Sequence, residues 1–252
     1  MTIVIGVFIV IFGLVFGSFL NVCICRAPSG ESIARGHSHC MVCGHTLAAS
    51  DLFPVFSYIF LRGRCRYCGA KISIQYPLIE LLNAAAYFTL YLLVGFGTAF
   101  ILYAAFCSAL IVAAVIDAKT QTIPNGVVLF LCVVGVASLI LLRNLSFYDR
   151  LFGLMVGGAP LLAASVLSKG GMGLGDVKLA AACGLVLGWQ GTLLALFIAC
   201  VSAAVYGLVM LSLHKKQLHS AIAFGPFLAA AFAVSLLWGE RILTWYLHLS
   251  RG

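Results

Sequence analysis

The sequence predicts an all-α polytopic membrane protein, with about eight transmembrane helices and a small cytoplasmic zinc-ribbon-like domain. Three observations lead there. Of the 252 residues, 63% are hydrophobic and only 9% are charged, whereas a soluble domain carries about 25% charged residues. Apolar runs close to the ~20 residues that a spanning helix needs recur along the chain, and mean hydropathy is +1.14. The one sizeable polar stretch, about 24–76, contains two Cys-x-x-Cys pairs.

Candidate spans lie at about 2–23, 77–96, 98–117, 126–142, 149–167, 177–188, 191–213 and 222–239. They divide the chain into a first transmembrane helix (1–23), a cysteine-bearing cytoplasmic domain (24–76) and a helical membrane domain (77–252). The first run has no small-residue cleavage site after it and continues into FGSFLNVCICR, so it reads as a retained helix. Ser18 and Asn21 interrupt it and suit interhelical hydrogen bonds. In the second, Glu80 follows Pro77 in what reads as the first turn, where the helix dipole favours a carboxylate. The sixth is short. Phe224-Gly225-Pro226-Phe227 breaks or kinks the approach to the last.

The net charge of +8 sits mainly in short loops. With the N-terminus outside and eight spans, Arg26, Arg35, Arg62, Arg64, Arg66, Lys71, Lys119, Lys169, Lys178, Lys215 and Lys216 face the cytoplasm, and only Arg143, Arg150, Arg241 and Arg251 face out. That bias sets orientation, and it offers no basic-aromatic surface for nucleic acid. Trp238, Trp245 and Tyr246 then form an outer interfacial belt.

Four of the ten cysteines form Cys40-Met-Val-Cys43 and Cys65-Arg-Tyr-Cys68, each followed by glycine, Gly44 and Gly69. Two such knuckles about twenty residues apart have the spacing of a zinc ribbon. A closed S4 site leaves no open coordination position, so the metal would be structural, and a domain this small would fold only with it. Two disulfides or free thiols are the other reading; the cytosolic side argues against disulfides. His37, His39 and His45 lie nearby and read as solvated loop residues. Cys23, Cys25, Cys107, Cys132, Cys183 and Cys200, in or beside apolar helices, read as small packing residues.

Asp117 and Asp176 are two of only seven acidic residues, and each stands where an apolar run meets a polar loop. A carboxylate at a membrane boundary is expensive and points to function. Each also has a plain structural reading, Asp176 as a helix N-cap and Asp117 as the cap of a turn before Ile123-Pro124-Asn125. Both occur as Asp-x-Lys, with Lys119 and Lys178. Residues two apart do not share a helix face, so neither lysine need neutralise its aspartate. Gly170, Gly171, Gly173 and Gly175 make a strip that lets backbone approach closely, which suits an extended peptide. Lys178 and Glu80 complete the candidate substrate-binding set. Two neighbouring carboxylates share one proton: one polarises a carbonyl while the other activates water.

Taken in order, these motifs resemble the type IV prepilin peptidases (leader peptidase and N-methyltransferase) along nearly the whole chain. The resemblance rests on Phe16-Gly-Ser-Phe-Leu-Asn-Val-Cys-Ile-Cys-Arg26, the two knuckles, Tyr76-Pro-Leu-Ile-Glu80, Asp117 with Ile123-Pro-Asn, Gly173-Leu-Gly-Asp176-Val-Lys178 and Phe224-Gly-Pro-Phe227. The segment around Asp176 is also similar to the GxGD signature of intramembrane aspartyl proteases. The family often carries proline inside the first knuckle, which here reads Cys40-Met-Val-Cys43.

The resemblance implies a multi-pass protein of the bacterial inner membrane. It implies cleavage of prepilin or pseudopilin precursors at the cytoplasmic face, after a leader ending in glycine, with Asp117 and Asp176 matching the catalytic aspartates. It further implies methylation of the new N-terminal residue from S-adenosylmethionine, associated with the cysteine domain. No glycine-rich nucleotide loop stands in 24–76, so methylation rests on the resemblance alone. A peptidase without methyltransferase activity and a proton-coupled transporter are the competing classes. Charges of a transporter belong near the bilayer midplane rather than at helix ends.

Overall fold

The structure, a computed structural model, describes residues 2–33, 36, 38–142, 144–168, 172–213 and 223–249. Among these the regular structure is helical, with two isolated β-bridges, His39–Thr46 and Arg64–Lys71. The chain divides into two compact units, Met1–Val112 and Ala113–Gly252.

The first unit opens with α1 (Thr2–Arg26), long enough at about 37 Å to cross a bilayer. A short 3-10 turn (Ala49–Asp51) and α2 (Phe56–Phe60) lie in the polar stretch, and α3 (Gln75–Val94) returns to apolar sequence. α1 and α3 pack with their backbones nearly touching. A Cβ on Gly13 would lie 2.6 Å from Ala84 Cα, and one on Gly17 would lie 2.6 Å from Glu80 Cα. Small residues spaced four apart allow this approach where lipid supplies no hydrophobic drive. Polar groups then lock the pair. Asn83 Nδ2 donates to Gly13 O at 2.8 Å, and Asn21 Nδ2 donates to Tyr76 O at 3.1 Å, so the interhelical role expected of Asn21 is present. α4 (Thr98–Thr120) begins in this unit, where Ser108 Oγ donates to Asn83 Oδ1. Helix one extends three residues beyond its expected end, and α3 is shifted toward the N-terminus.

The second unit holds the end of α4, then α5 (Asn125–Leu141), α6 (Phe147–Leu167), α7 (Leu174–Ser212) and α8 (Gly225–Leu249). α8 runs ten residues past its expected end. Among the described residues six helices are long and apolar enough to cross a membrane, and α5 is shorter. Large side chains such as Ile3, Phe8, Leu129, Phe152 and Phe197 project outward from them, as lipid-facing residues do.

α7 is broken at Gly188, whose φ of 71° and ψ of 177° are not helical. Before the break it runs antiparallel to α6: Cβ atoms built on Gly153 and Gly157 would collide with the backbones of Gly184 and Ala180. It runs parallel to α5, with Lys178 at Asn125 and Leu185 at Gly135. Beyond the break it runs antiparallel to α8, where Ser235 donates to Gly191 O and Tyr206 stacks near Phe227. α8 starts beside Asp117, at the end where α7 begins, so the chain folds back at Gly188.

A helix that ends inside a protein leaves carbonyls without partners. Arg150 supplies them. Its Nη1 donates to Leu185 O at 3.0 Å, Val186 O at 3.2 Å and Ser138 Oγ at 2.7 Å, and its Nη2 donates to Asn144 Oδ1 at 3.0 Å. The residue is 1% exposed. Its expected place among outward loop charges is therefore corrected: the guanidinium is spent inside the fold on the broken helix.

Candidate active site

α4 carries Asp117 one turn before its end rather than at a capping position. Asp176 lies in the first turn of α7, whose N-cap is Gly173, so it is not the cap either. Both carboxylates are buried, at 5% and 9% exposure, and Asp117 is close enough for its charge to act on Asp176. Asp117 Oδ2 accepts the Gly225 N–H at 3.0 Å. Asp176 Oδ1 is buried without a hydrogen-bond partner among the described residues. Among the described residues the one ion pair is Arg66 with Asp51, so no base neutralises this pair there. Lys178 Nζ turns to Asn125 Oδ1 at 3.3 Å.

Of the glycine strip, Gly173 lies beside Asp176: a Cβ there would sit 3.6 Å from Asp176 Oδ2. Gly175 faces Ile123, with 3.2 Å from a built Cβ to the Ile123 Cβ. Gly170 and Gly171 fall outside the described residues. The residue that sequence reasoning missed is Gly225. Read as part of a motif that breaks or kinks the entry to the last helix, it does begin α8, and it also brings its N–H to Asp117. A Cβ at Gly225 would lie 2.6 Å from Asp117 Oδ2. The Phe-Gly-Pro-Phe motif was the available signal, but its partner lies 108 residues away.

Glu80 belongs to the first unit. α3 begins at Gln75, so Glu80 stands in the second turn, not the first. There it accepts the Val55 N–H at 2.7 Å and a hydrogen bond from Ser18. Val55 has a φ of 61°, rare for a β-branched residue, and this bond helps to hold it.

The two cysteine knuckles are copies of one turn. Cys40 N–H donates to His45 O, and Gly44 N–H to Cys40 O; Cys65 N–H donates to Ala70 O, and Gly69 N–H to Cys65 O. Gly44 and Gly69 have φ of 70° and 71°, which is what glycine supplies here. The four Sγ atoms lie within 4.8 Å of one another, with Cys40 and Cys68 at 3.9 Å, and all ten cysteines are free of disulfides. A tetrahedron with Zn–S of about 2.3 Å has S–S edges of roughly 3.8 Å, so the donor set is compatible with zinc.

The thiols pull apart in acidity. N–H groups of Cys43 and Val42 push Cys40 down to about 6. The Ala70 N–H pulls Cys68 down, but burial and the neighbouring thiols outweigh it and push it up to about 12. Four thiolates held this close would need a cation among them. His37 lies outside the described residues, and His45 stacks on Tyr67.

Residues 11–94 match the bacterial peptidase A24 N-terminal domain, and residues 104–208, which hold both aspartates, match the type IV leader peptidase family. A Bacillus subtilis protein named prepilin leader peptidase/N-methyltransferase is 32% identical over 96% of this chain and 98% of its own length. A protein of the same name from Stutzerimonas stutzeri is 35% identical over 96% of this chain and 93% of its own. The chain belongs to the type IV leader peptidase family. One from Aeromonas hydrophila, again of that name, is 33% identical over 94% of this chain and 92% of its own. No solved structure matches the chain. Within the family the chain is a multi-pass membrane protein, and its two model matches separate the cysteine knuckles from the aspartate pair.

Proposed function

We propose that this chain is a membrane-embedded aspartyl endopeptidase. It removes the leader from prepilin or pseudopilin precursors at the cytoplasmic face of the inner membrane, then methylates the new N-terminal residue with S-adenosylmethionine. The observation that carries the reading is the buried pair Asp117 and Asp176 without a basic partner among the described residues. The relatives' names support the substrate and the second activity.

Eight passes fit the contacts, once the two arms of α7 are counted as separate crossings. With the N-terminus outside, the end of α4 and the starts of α7 and α8 then fall on one side. The excess of Lys and Arg in the loops marks that side as cytoplasmic. Cys40, Cys43, Cys65 and Cys68 hold one structural zinc in a small ribbon-like domain.

The hydrogen bonds divide the labour of cleavage. A backbone N–H favours an ionised acceptor, so Asp117, held by Gly225, is the carboxylate that takes a proton from the attacking water. Asp176, with an oxygen that has no partner among the described residues, holds the shared proton and gives it to the scissile carbonyl oxygen. As the tetrahedral intermediate collapses, the proton on Asp117 goes to the leaving amine, and Asp176 recovers its own. Gly173 and Gly175 carry no side chains to obstruct an extended peptide beside Asp176. S-adenosylmethionine, when bound, supplies an activated methyl group; the chain's part is to position the amine.

Co-expression with a prepilin precursor, followed by mass spectrometry of the mature N-terminus, tests both reactions together. A shortened, N-methylated product is expected. An uncut precursor contradicts the reading. A cut but unmethylated product favours a peptidase alone.

A further inference from the structure

In the polar stretch between α1 and α3, the short helix α2 is turned inside out. Phe56, Ile59 and Phe60 stand at positions i, i+3 and i+4, which share one helix face. That face looks outward: Phe60 is 82% exposed, and Phe56, Ile59 and the preceding Phe53 are exposed with it. The opposite face, with Ser57, Tyr58 and Leu61, lines a cavity of about 460 Å³. A free-standing polar domain would bury the phenylalanines and expose the serine. A contiguous apolar patch left outside marks a surface that something covers.

The tether of this segment points to the cover. Val55, next to α2, gives its N–H to Glu80 Oε2 at 2.7 Å. Glu80 lies inside α3, packed so closely on α1 that a Cβ built on Gly17 would stand 2.6 Å from its Cα. At that level both helices already turn large apolar side chains outward, Phe16 and Phe19 from α1 and Leu78, Leu81 and Leu82 from α3. Those side chains face lipid, so the outward face of α2 stands at the boundary of the same bilayer. The charges agree. Arg62 and Arg64 follow α2 directly, are exposed, do not line the cavity and form no ion pair among the described residues. Apolar rings beside basic residues suit a segment that lies in the headgroup layer, where long basic side chains reach the phosphates.

We propose that Phe53, Phe56, Ile59 and Phe60 dip into the bilayer surface at the Arg26 end of α1, with Arg62 and Arg64 on the phosphates of anionic phospholipids. The contact holds the cysteine segment against the membrane. Gly63 N–H donates to Tyr58 O and Arg64 N–H to Leu61 O, so α2 is bonded directly to the turn that leads into Cys65. Lipid composition thereby acts on a segment that has no membrane span of its own.

The test uses the full chain in lipid nanodiscs that contain a photoactivatable phospholipid with its diazirine just below the headgroup. After irradiation and peptide mapping, adducts are expected on residues 53–60 as well as on α1 and α3. Phe56→Ser with Phe60→Ser should remove the adducts on 53–60 and leave those on α1 and α3, at unchanged zinc content. In phosphatidylglycerol, Arg62→Gln with Arg64→Gln should lower the yield on 53–60 relative to α1, by up to about fivefold for each arginine, the weight of one basic residue at an anionic surface. In phosphatidylcholine the same pair should change little. An unlabelled 53–60 beside labelled α1 and α3 overturns the proposal; chain-to-chain cross-links mapped there instead would give the face to a second copy. An equal yield for the arginine variant in both lipids overturns the phosphate contact. If the phenylalanine variant does not fold, the labelling of the wild-type chain decides.

Discussion

Gly225 and Asp117 stand in a contact that admits no side chain between them. The Gly225 N–H donates to Asp117 Oδ2 at 3.0 Å, and a Cβ built on Gly225 would lie 2.6 Å from that same oxygen. A break in the chain at the start of α8 thus sets the position of a carboxylate on α4.

Gly225→Ala keeps the N–H but pushes the carboxylate aside. Misplacement by about 1 Å costs on the order of a hundredfold in rate. Cleavage of a prepilin-like peptide should fall by about that factor while the protein still inserts and purifies normally. Activity near wild type would show that the contact does not position Asp117.

Arg150→Leu removes donors from Leu185 O, Val186 O, Ser138 and Asn144 at once. Each buried acceptor left alone costs about 1–3 kcal/mol, so losing donors to four at once should cost at least roughly 4 kcal/mol. It would be read as a large fall in melting temperature in detergent. Arg150→Lys should rescue little, because one ammonium does not reproduce the planar fork.

Much of this was legible in the sequence, for physical reasons. Long apolar runs have few alternatives to helices in a bilayer, and the knuckles are local turns whose glycines mark them. Asp117 and Asp176 stood out because acidic residues are so scarce in the chain. What was not legible depends on distant partners. The role of Gly225 comes from a residue 108 positions away. Arg150 reads as an ordinary loop charge until the break at Gly188 leaves carbonyls for it to bond. Glu80 reads as a dipole-stabilised carboxylate until the loop at Val55 folds against it. Helix ends moved by several residues because the apolar pattern does not mark where a helix stops.

The cysteine cluster predicts one zinc per chain by elemental analysis of purified protein. Cys43→Ser, or a strong chelator, should release it and expose residues 27–74 to protease while the membrane helices persist. A metal-free protein with that segment still protected would contradict the assignment.

Asp51 sets one pH dependence. Burial pushes its carboxyl up, but hydrogen bonds from Arg66, the Ala48 N–H and Tyr67 outweigh burial and hold it below the usual carboxylate range. A lowered folded pKa stabilises above the unfolded value, near 4, and that stability is lost as pH falls through the folded one. Protease resistance of the segment around Asp51 should therefore hold at neutral pH and decline only below about pH 4. In Asp51→Asn this acid step should shrink.

The central claim is that Asp117 and Asp176 act as one unit in cleavage. The direct measurement is single-turnover cleavage of a purified prepilin by D117N and by D176N, each checked for wild-type folding and zinc content. Each substitution leaves the pair without one titratable member, and each should lower the rate by at least about a thousandfold, with the double variant little worse than either. Near-normal cleavage by either single variant, in a folded protein, would contradict the account.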